Sequence, residues 1–587
     1  MKLGEALTSK RLIIGGAIFV ALIGVLALVA LRRPSRVPMD RYVPASALAF
    51  LEMNNLPDVV QGLTGTTAWE ELAPELGLSS QLRQIGLAAD LVGRTGIGPQ
   101  QAVIASRAQV AIAVTDLEAE TGLDDGSTNL KPHFALLVET HSDAETTSRL
   151  LRDLGSVLAK RVYGENVSER SEDHNGVQLS IYQGPEPERQ IVAASSGSVA
   201  VIANKPAAAR ICIDAIAGRT PTLADDAALK EMRPNVDQDS AVFAYVTEAG
   251  IGKLVKFGSA LVSTRFTSDP ERITSIASLF GHMSEQTTAG LYYSAAFVDD
   301  GVTERYLTAL RPSVAEALSR ALKPAPAADS EALALIPDSV EEFTIINAQA
   351  AGELPERILK ELSPQLDLVA GLALREFVLG FRKQLGLEAG DSLGDLVGSG
   401  VVMAKFSGDE PTAMLLRVKD RDRVRPIVER YLTRAESTLT RAAHNGVEIT
   451  TSSHPDRRAA SFAGDYLILG TGDQIVKMLD AQAGGSNMNK TRSLAESLLK
   501  APPSASIVSY KPETTDAAEM MLALSHLTRV TDGSPELLEP EPIKKAIGRL
   551  QPSVSFTEFR NYGVFTETRS AVGNFSLVGS VNRREEE

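Results

Sequence analysis

Two histidines stand out as candidate chemical groups because the same short motif follows each of them. His174-Asn175-Gly176-Val177 recurs as His444-Asn445-Gly446-Val447. A histidine can bind a metal or change its charge near neutral pH, but a metal site needs further ligands at a defined spacing. No such ligand recurs beside either histidine. Because Asn-Gly favours a type I′ turn, the motif predicts two hairpins flanked by histidine, rather than a duplicated active site.

A second candidate is an acidic stretch that ends at Gly126. It contains Asp116, Glu118, Glu120, Asp124 and Asp125. A calcium-binding loop requires glycine at its sixth position and glutamate at its twelfth. Counted from Asp116, those positions hold Thr121 and Ser127. The stretch therefore predicts a solvated loop and not a calcium site.

Other motifs of enzyme chemistry are weak. Gly470-Thr471-Gly472 lacks the third glycine and the following Lys-Ser/Thr of a phosphate-binding loop. The metalloprotease motif His-Glu-x-x-His does not occur, and the seven histidines are scattered. We therefore expect no catalytic residue, no cofactor and no metal, and we expect that the protein is not an enzyme.

The composition sets the scale on which these residues are arranged. A chain of 587 residues is too long for one hydrophobic core, which indicates two to four domains. Its net charge of -15 argues against nucleic acid as a partner. Cys212 is the only cysteine, so the chain cannot form an internal disulfide. It aligns with Met478 in the repeat described below, which predicts a buried, inert thiol.

Residues 12–31 form an uncharged apolar run after a short basic tail at residues 1–11. A helix of that length spans about 30 Å, the thickness of the hydrocarbon core of a membrane. A cleaved signal peptide is the alternative, but Leu28 is too large for the small residue that its cleavage site requires. We therefore predict an uncleaved single-pass anchor. The positive-inside rule slightly opposes an exported body, because basic residues also follow the run.

The rest of the chain repeats the same order of elements. Pro44 and Phe50 recur at one constant offset as Pro337 and Phe343, at the start of each copy. Later in each copy, a helix ends at Asp214-Ala215-Ile216-Ala217-Gly218 and at Asp480-Ala481-Gln482-Ala483-Gly484. The sequence predicts module 1 at 38–310, a linker at 311–333 and module 2 at 334–587. Hairpins outnumber crossover helices, so we expect an α+β fold with a mainly antiparallel sheet packed by helices in each module.

Three helices are predicted in detail. Ser142 and Glu145 read as a capping box before a buried stripe of Leu150, Leu151, Leu154, Val157 and Leu158. Ser363-Pro364 predicts a second helix start, with a stripe of Leu366, Val369, Ala373 and Phe377. Asp420 or Asp422 can cap a third helix, whose stripe is Val424, Ile427, Val428, Tyr431 and Leu432.

This order of elements resembles the bacterial membrane-anchored family known as domain of unknown function 3352. The shared features are the proline turn before the first strand, the glycine-turn hairpin, the helix ending Asp-Ala-x-Ala-Gly, and the following Leu223 or Leu494. The resemblance covers most of residues 38–587. It implies a membrane-anchored protein with an extracytoplasmic body, and it brings no activity and no catalytic residues.

The function expected from the sequence is a non-catalytic binding or scaffold role. The body is expected to be periplasmic or extracellular, held at the inner membrane by residues 12–31, with a protein partner and without nucleic acid. A carrier of a hydrophobic ligand or lipid is the alternative, because predicted helices such as that around Met520 and Met521 are apolar and rich in methionine, whose side chain adapts to a ligand. A hydrolase assembled across the modules is motivated only by His174 and His444. Any function is expected where the copies differ or where they meet.

Overall fold

The computed structural model describes most of the two predicted modules. The described residues are 35–54, 56–72, 107–121, 128–186, 188–238, 240–263, 270–325, 330–349, 351–385, 397–406, 411–433, 437–454, 456–491, 501–512 and 545–573, with residues 74, 104, 387, 388, 391, 394 and 494. The predicted anchor at residues 12–31 lies outside them. In the described residues, no helix combines the length and apolar composition that crossing a membrane requires.

Twenty strands of the described residues form one sheet, and every strand pairing among them is antiparallel. In the first half, the strands are β1 Ala49–Met53, β2 Gln109–Thr121, β3 Thr128–Glu139, β4 Ser168–His174, β5 Val177–Gln183, β6 Gln190–Ser196, β7 Val199–Ala203, β8 Val242–Thr247, β9 Thr288–Val298 and β10 Gly301–Leu310. In the second half, they are β11 Glu342–Ile346, β12 Val397–Lys405, β13 Ala413–Val418, β14 Leu439–His444, β15 Val447–Ser452, β16 Arg458–Ala463, β17 Tyr466–Thr471, β18 Ile507–Lys511, β19 Ser553–Arg560 and β20 Gly563–Ser570.

The two halves share one strand order. Across the sheet, the first half runs β4, β5, β6, β7, β3, β2, β1, β8, β9, β10. The second half runs β14, β15, β16, β17, β13, β12, β11, β18, β19, β20. Phe50 and Phe343, which match in sequence, lie opposite Tyr245 and Tyr510 at the same point of this order.

The halves join where β10 pairs with β20, a contact that we call the seam. Arg305 lies opposite Glu567, and each is the fourth residue after the glycine that begins its strand. Equivalent positions therefore face each other, which places a local two-fold axis at this pair. Gly301 and Gly563 have φ of 146° and 150°, and a side chain on either would collide with the backbone of the opposite strand.

Thirteen helices accompany the described sheet, which makes the fold α+β. They are α1 Leu56–Thr64, α2 Thr67–Leu72, α3 Ala144–Tyr163, α4 Pro206–Ile216, α5 Ala227–Met232, α6 Glu248–Ser263, α7 Pro270–Thr287, α8 Pro312–Ala321, α9 Ser330–Ala334, α10 Leu354–Leu362, α11 Leu368–Gln384, α12 Arg421–Leu432 and α13 Gly472–Gln482. The predicted linker at 311–333 thus includes a folded helix, α8, which buries Val314 and Ala317.

Each half has a core built mainly from alternate residues of its strands and from a helix, and Phe565 of β20 also packs into the first core. Phe50, Leu137 and Cys212 of α4 are buried in the first core. Phe343, Leu415 and Met478 of α13 are buried in the second. Cys212 and Met478 are both fully buried, as the alignment of the two copies predicted.

For helix α3, the predicted burial of Leu151 is confirmed, but the predicted N-cap and the burial of Val157 and Leu158 are wrong. Its N-cap is Asp143, whose carboxylate accepts a hydrogen bond from the Thr146 N–H, and not Ser142. The buried face is lined by Thr147, Leu151, Gly155 and Ala159. Val157 and Leu158 are exposed instead. The reason is close packing, since Gly155 lies against the ring of Tyr182 and a larger residue there would crowd it.

The predicted start at Ser363 is also wrong, whereas that at Asp420 is confirmed. Ser363–Gln365 is a single 3₁₀ turn after α10, and α11 is capped by Asp367. Val369 and Phe377, expected inside, are exposed. Helix α12 is capped by Asp420, and it buries four of the predicted apolar residues, namely Val424, Ile427, Val428 and Leu432.

The acidic stretch is not a loop at its start. Asp116 and Glu118 belong to β2, which continues to Thr121 and pairs with β3. Asp116 lies opposite His133 on that strand. Asp124, Asp125 and Gly126 lie outside the described residues.

Candidate functional site

The two repeated turns have the predicted geometry. Asn175 and Gly176 have φ of 54° and 83°, and Asn445 and Gly446 have φ of 50° and 77°. Positive φ at both central residues defines the type I′ turn, which only residues such as Asn and Gly adopt readily. Each turn joins two antiparallel strands and brings its histidine to the end of a hairpin.

In the first half, the turn is tied to the end of helix α4. The Nε2 atom of His174 lies 3.1 Å from both carboxylate oxygens of Asp214. The Asn175 amide donates to Oδ1 of Asp214 at 3.1 Å, and Arg219 Nε donates to the same oxygen at 2.8 Å. Asp214 is the aspartate of the repeated Asp-Ala-x-Ala-Gly motif.

The second half repeats this arrangement without the arginine. His444 Nε2 lies 2.7 Å from Oδ1 of Asp480, and the Asn445 amide donates to that oxygen at 2.9 Å. We call each His-Asn-Asp group a clasp. Both the His-Asn-Gly-Val motif and the Asp-Ala-x-Ala-Gly motif were recognised in the sequence, but contact between them was not predicted. The available signal was that the two motifs recur together, which would have suggested contact.

The clasps are built to hold a hairpin against a helix. Burial alone would raise the pKa of Asp214, but hydrogen bonds from Arg219, His174 and Asn175 outweigh it and hold that pKa below 3.8. Hydrogen bonds from His444 and Asn445 likewise lower the pKa of Asp480. Both aspartates are thus ionised acceptors at neutral pH, with their oxygens directed at the turn. This arrangement ties elements together, and neither clasp presents a nucleophile.

One serine motif was overlooked in the sequence. Gly390-Asp391-Ser392-Leu393-Gly394 has the Gly-x-Ser-x-Gly spacing of a nucleophile elbow. An elbow joins a strand to a following helix, whereas this segment leads from helix α11 to strand β12. Asp391 accepts a hydrogen bond from Arg430 at 2.6 Å, and Ser392 lies outside the described residues. The context therefore differs from that of a hydrolase elbow.

One acidic group has the spacing of a metal site. The potential ligand atoms of Asp116, Glu118 and His133 lie within 4.8 Å of one another. However, Oδ1 of Asp116 already accepts hydrogen bonds from the Lys253 ammonium and the Leu117 N–H. The lysine supplies the positive charge that a cation would supply. We therefore assign this group a structural role.

A buried ion cluster distinguishes the first half from the second. Arg233 donates to Asp237 at 2.8 Å and also to Glu52 and Asp40, and its guanidinium lies 4.3 Å from the centre of the Phe243 ring. Burial raises the pKa of Glu52, although Arg233 opposes the shift. Glu52 corresponds to Ile345 in the second half, so the second half has no charge at that position. This cluster fixes the segment before β1 onto the sheet.

The seam holds a cleft of about 310 Å³ to which both halves contribute. Its lining includes Thr303 and Arg305 of β10, Phe556 of β19, and Glu567 and Arg569 of β20. Arg305 Nε donates to Oε2 of Glu567 at 3.0 Å, while Arg569 donates to Oε1 at 3.0 and 2.7 Å. Burial would raise the pKa of Glu567, but these arginines lower it. Glu567 is therefore ionised between two cations.

The copies differ at this cleft. Counting from the first glycine of each strand, Arg569 of β20 corresponds to Leu307 of β10. Glu567 corresponds to Arg305, its own partner across the axis. From the sequence, a functional site was expected where the copies differ or where they meet. Both conditions hold at this cleft.

Helix α11 presents a second unusual surface. Leu368, Val369, Leu372, Phe377, Leu379 and Phe381 are all exposed, at 78%, 55%, 50%, 73%, 44% and 38%. By the helical period, Leu368, Leu372 and Leu379 lie on one side of α11, and Phe377 and Phe381 on the other. Single exposed apolar residues are ordinary, but this many on one helix mark it as an interaction element. The helix is held at its start, where Asp367 lies beside His282 and Gln286 of α7.

Comparison with known proteins identifies no relative from which a function could be inferred. No family model and no curated protein matches the chain. Among solved structures, the chain is similar to one titled "Structure of crystal form III of TP0453", with 12% identity over 42% of this chain and 85% of that chain. The TM-score of that pair is 0.23, which is too low to support an inference about fold or function.

Proposed function

We propose that the protein is a non-catalytic binding or scaffold protein made of two copies of one module. In this proposal, residues 12–31 anchor it in the inner membrane and the body is exported. The observation that carries the binding role is the apolar surface of α11, where six large apolar side chains are exposed. Keeping such a surface in water is unfavourable, and binding a protein partner would remove it from water.

The duplicated polar groups support the same view. Each clasp joins a hairpin turn to a helix end, and its hydrogen bonds are made within the chain. A repeated catalytic site would instead keep a nucleophile or an open ligand position beside the histidine. Repetition therefore favours a role in holding the modules, and the binding surface lies elsewhere.

The test compares two pairs of substitutions in the full-length chain. Val369→Ser with Leu372→Ser alters α11, and Val157→Ser with Leu158→Ser alters the exposed residues of α3. Val369 and Val157 are equally exposed, at 55%, so the second pair is a matched control. After cross-linking in the native membrane and mass spectrometry, partners should be lost from the α11 variant only. The same partners with both variants would contradict the proposal, and a co-purified lipid would favour the carrier alternative.

The exported location has its own test. Protease added to spheroplasts should digest the body if it lies outside the inner membrane. A body that is protected until the membrane is broken would place it on the cytoplasmic side.

A further inference from the structure

We propose that the cleft at the seam binds a small organic oxyanion, a carboxylate or phosphate monoester with a short apolar chain. This goes beyond the scaffold role, because it concerns a different surface from that of α11. The proposal depends on the hydrogen-bond donors of Arg305, the neutral ion pairing around them and the apolar residues beside it.

The first observation is the state of Arg305. Its side chain is only 17% exposed, and it lines the cleft. Only Nε is paired, with Glu567, so within the described part of the chain both amino groups have no acceptor. Guanidinium groups bind carboxylates and phosphates through pairs of parallel hydrogen bonds. Arg305 is thus held in place by one bond while its other donors remain for a ligand.

The second observation is the balance of charge. Arg305 and Glu567 are mostly buried on the floor, and the guanidinium of Arg569, whose side chain is 46% exposed, donates to the same carboxylate. Asp300 also lines the cleft, but it lies on the exposed turn between β9 and β10. Exposed charges are strongly screened and buried ones much less so. Arg569 is exposed as well, so it and Asp300 offset each other as screened charges, while the buried Arg305 and Glu567 form a neutral pair. Attraction for an oxyanion therefore comes from the unpaired amino groups of Arg305 and not from a net charge.

The third observation is the apolar part of the lining. Val554 and Phe556 form buried wall, while Val298 is 44% exposed at the edge. A volume of about 310 Å³ is at the small end for ligand pockets. Such a site suits a compact ligand with one charged group and a few carbon atoms.

The residues at the local two-fold axis differ between the two copies, so the seam has one site and not two equivalent ones. A symmetric pair of modules would place identical residues opposite each other at the axis. Here Arg305 faces Glu567, and Leu307 stands where the other copy has Arg569. The asymmetry leaves one arginine, Arg305 of β10, on the axis and a second, Arg569, on β20 only.

The test uses isothermal titration calorimetry of the full-length chain with butanoate, butyl phosphate and neutral butan-1-ol. One or both anions should bind, more weakly as salt is added, and butanol should not. Binding of only one anion would identify whether carboxylate or phosphate is preferred. Failure of both anions to bind, or equal binding of butanol, would overturn the proposal.

Substitutions locate the site. Arg305→Gln should weaken anion binding at least about tenfold, because it removes a charged donor. Glu567→Gln should strengthen binding, since it removes the carboxylate that competes for both arginines. Arg560→Gln is the control, as Arg560 lies on β19 outside the cleft lining and stacks on Phe565. Unchanged affinity in both Arg305→Gln and Glu567→Gln would place binding elsewhere and overturn the proposal.

Discussion

Asp214 and Asp480 each lie in the last turn of a helix, where a negative charge opposes the helix dipole. Their clasps offset this cost, because a histidine and an asparagine donate to each carboxylate. Asp214 receives an additional bond from Arg219. The first clasp should therefore be the stronger of the two.

Replacing Asp214 with Asn tests the first clasp. At pH 7 we expect the hairpin of β4 and β5 to lose about 1 kcal/mol or less, because the group is near the surface. The pKa of Asp214 is below 3.8 in the fold, so its stabilisation is complete above that value and is lost as the pH falls through the folded pKa. Hydrogen exchange of the hairpin amides should thus differ between the proteins at neutral pH and converge only when the pH falls below the lowered, folded pKa of Asp214.

Asp153→Asn, at an exposed position on α3, serves as the control and should leave the hairpin unchanged. Equal exchange at neutral pH in the Asp214→Asn variant and the unaltered protein would show that the clasp contributes nothing.

At the residue scale, the sequence predicted the turns but not their partners. Asn-Gly determines its own backbone conformation, so the type I′ turns at 175–176 and 445–446 could be predicted. The partners Asp214 and Asp480 are brought there by the packing of helices α4 and α13, which local sequence does not specify. The Arg305–Glu567 pair was missed for the same reason.

Among the elements, α4 and α13 occupy the same place in the two halves but begin differently. Helix α13 begins with a capping box, in which Thr471 accepts from the Gln474 N–H and the Gln474 side chain accepts from the Thr471 N–H. Helix α4 has Lys205 at its N-cap with no side-chain hydrogen bond, and Pro206 follows. A proline at the first helical position already has the φ that a helix requires, and it lacks the N–H that would need capping.

Thr471→Ala should destabilise the start of α13 by about 1 kcal/mol, because it leaves a backbone N–H without its acceptor. The matched change Lys205→Ala should have little effect on α4. Hydrogen exchange in the first turn of each helix measures both. A similar loss in the two helices would show that the capping hydrogen bond is not the cause.

The sequence predicted where helices lie along the chain better than it predicted which side of each helix is buried. The apolar spacing located α3 and α12, but in α3 the small residues Gly155 and Ala159 face the sheet and Leu158 faces water. A periodicity of large apolar residues cannot reveal that a small residue allows closer packing. On α11, the same rule placed Val369 and Phe377 inside, although they belong to the exposed apolar surface.

For the molecule as a whole, the seam determines how the two halves are joined. Arg305 and Glu567 occupy equivalent positions, and both are mostly buried, with 17% and 18% of the side chain exposed. Glu567→Arg should place two arginines in contact on the axis and destabilise the seam by about 2 kcal/mol or more, as for other broken buried pairs. Chemical denaturation of the full-length chain measures the change.

The double variant Arg305→Glu with Glu567→Arg restores opposite charges on the axis and should recover most of the lost stability. If it is no more stable than Glu567→Arg alone, the charge pair is not what stabilises the seam.

The strand order and the seam could not be predicted from the sequence. Hairpins such as β4–β5 follow from local turns, and the repeated motifs indicated that the halves would resemble each other. The pairing of β10 with β20 joins residues such as Arg305 and Glu567, which are 262 positions apart in the sequence, and no local pattern marks it. It depends on the fit of Gly301 and Gly563 against the opposite backbone, which only the assembled sheet reveals.

Joining the halves through β10 and β20 also has a consequence for aggregation. Two separate ten-stranded sheets would have four open edges, whereas the joined sheet leaves only β4 and β14 unpaired on one side among the described strands. An open edge invites pairing with another chain, and charged residues discourage it. Strand β4 carries Glu169, Arg170, Glu172 and Asp173, but in β14 the only residue charged at every physiological pH is Arg441. Self-association of this acidic protein is therefore expected to begin at the short strand β14.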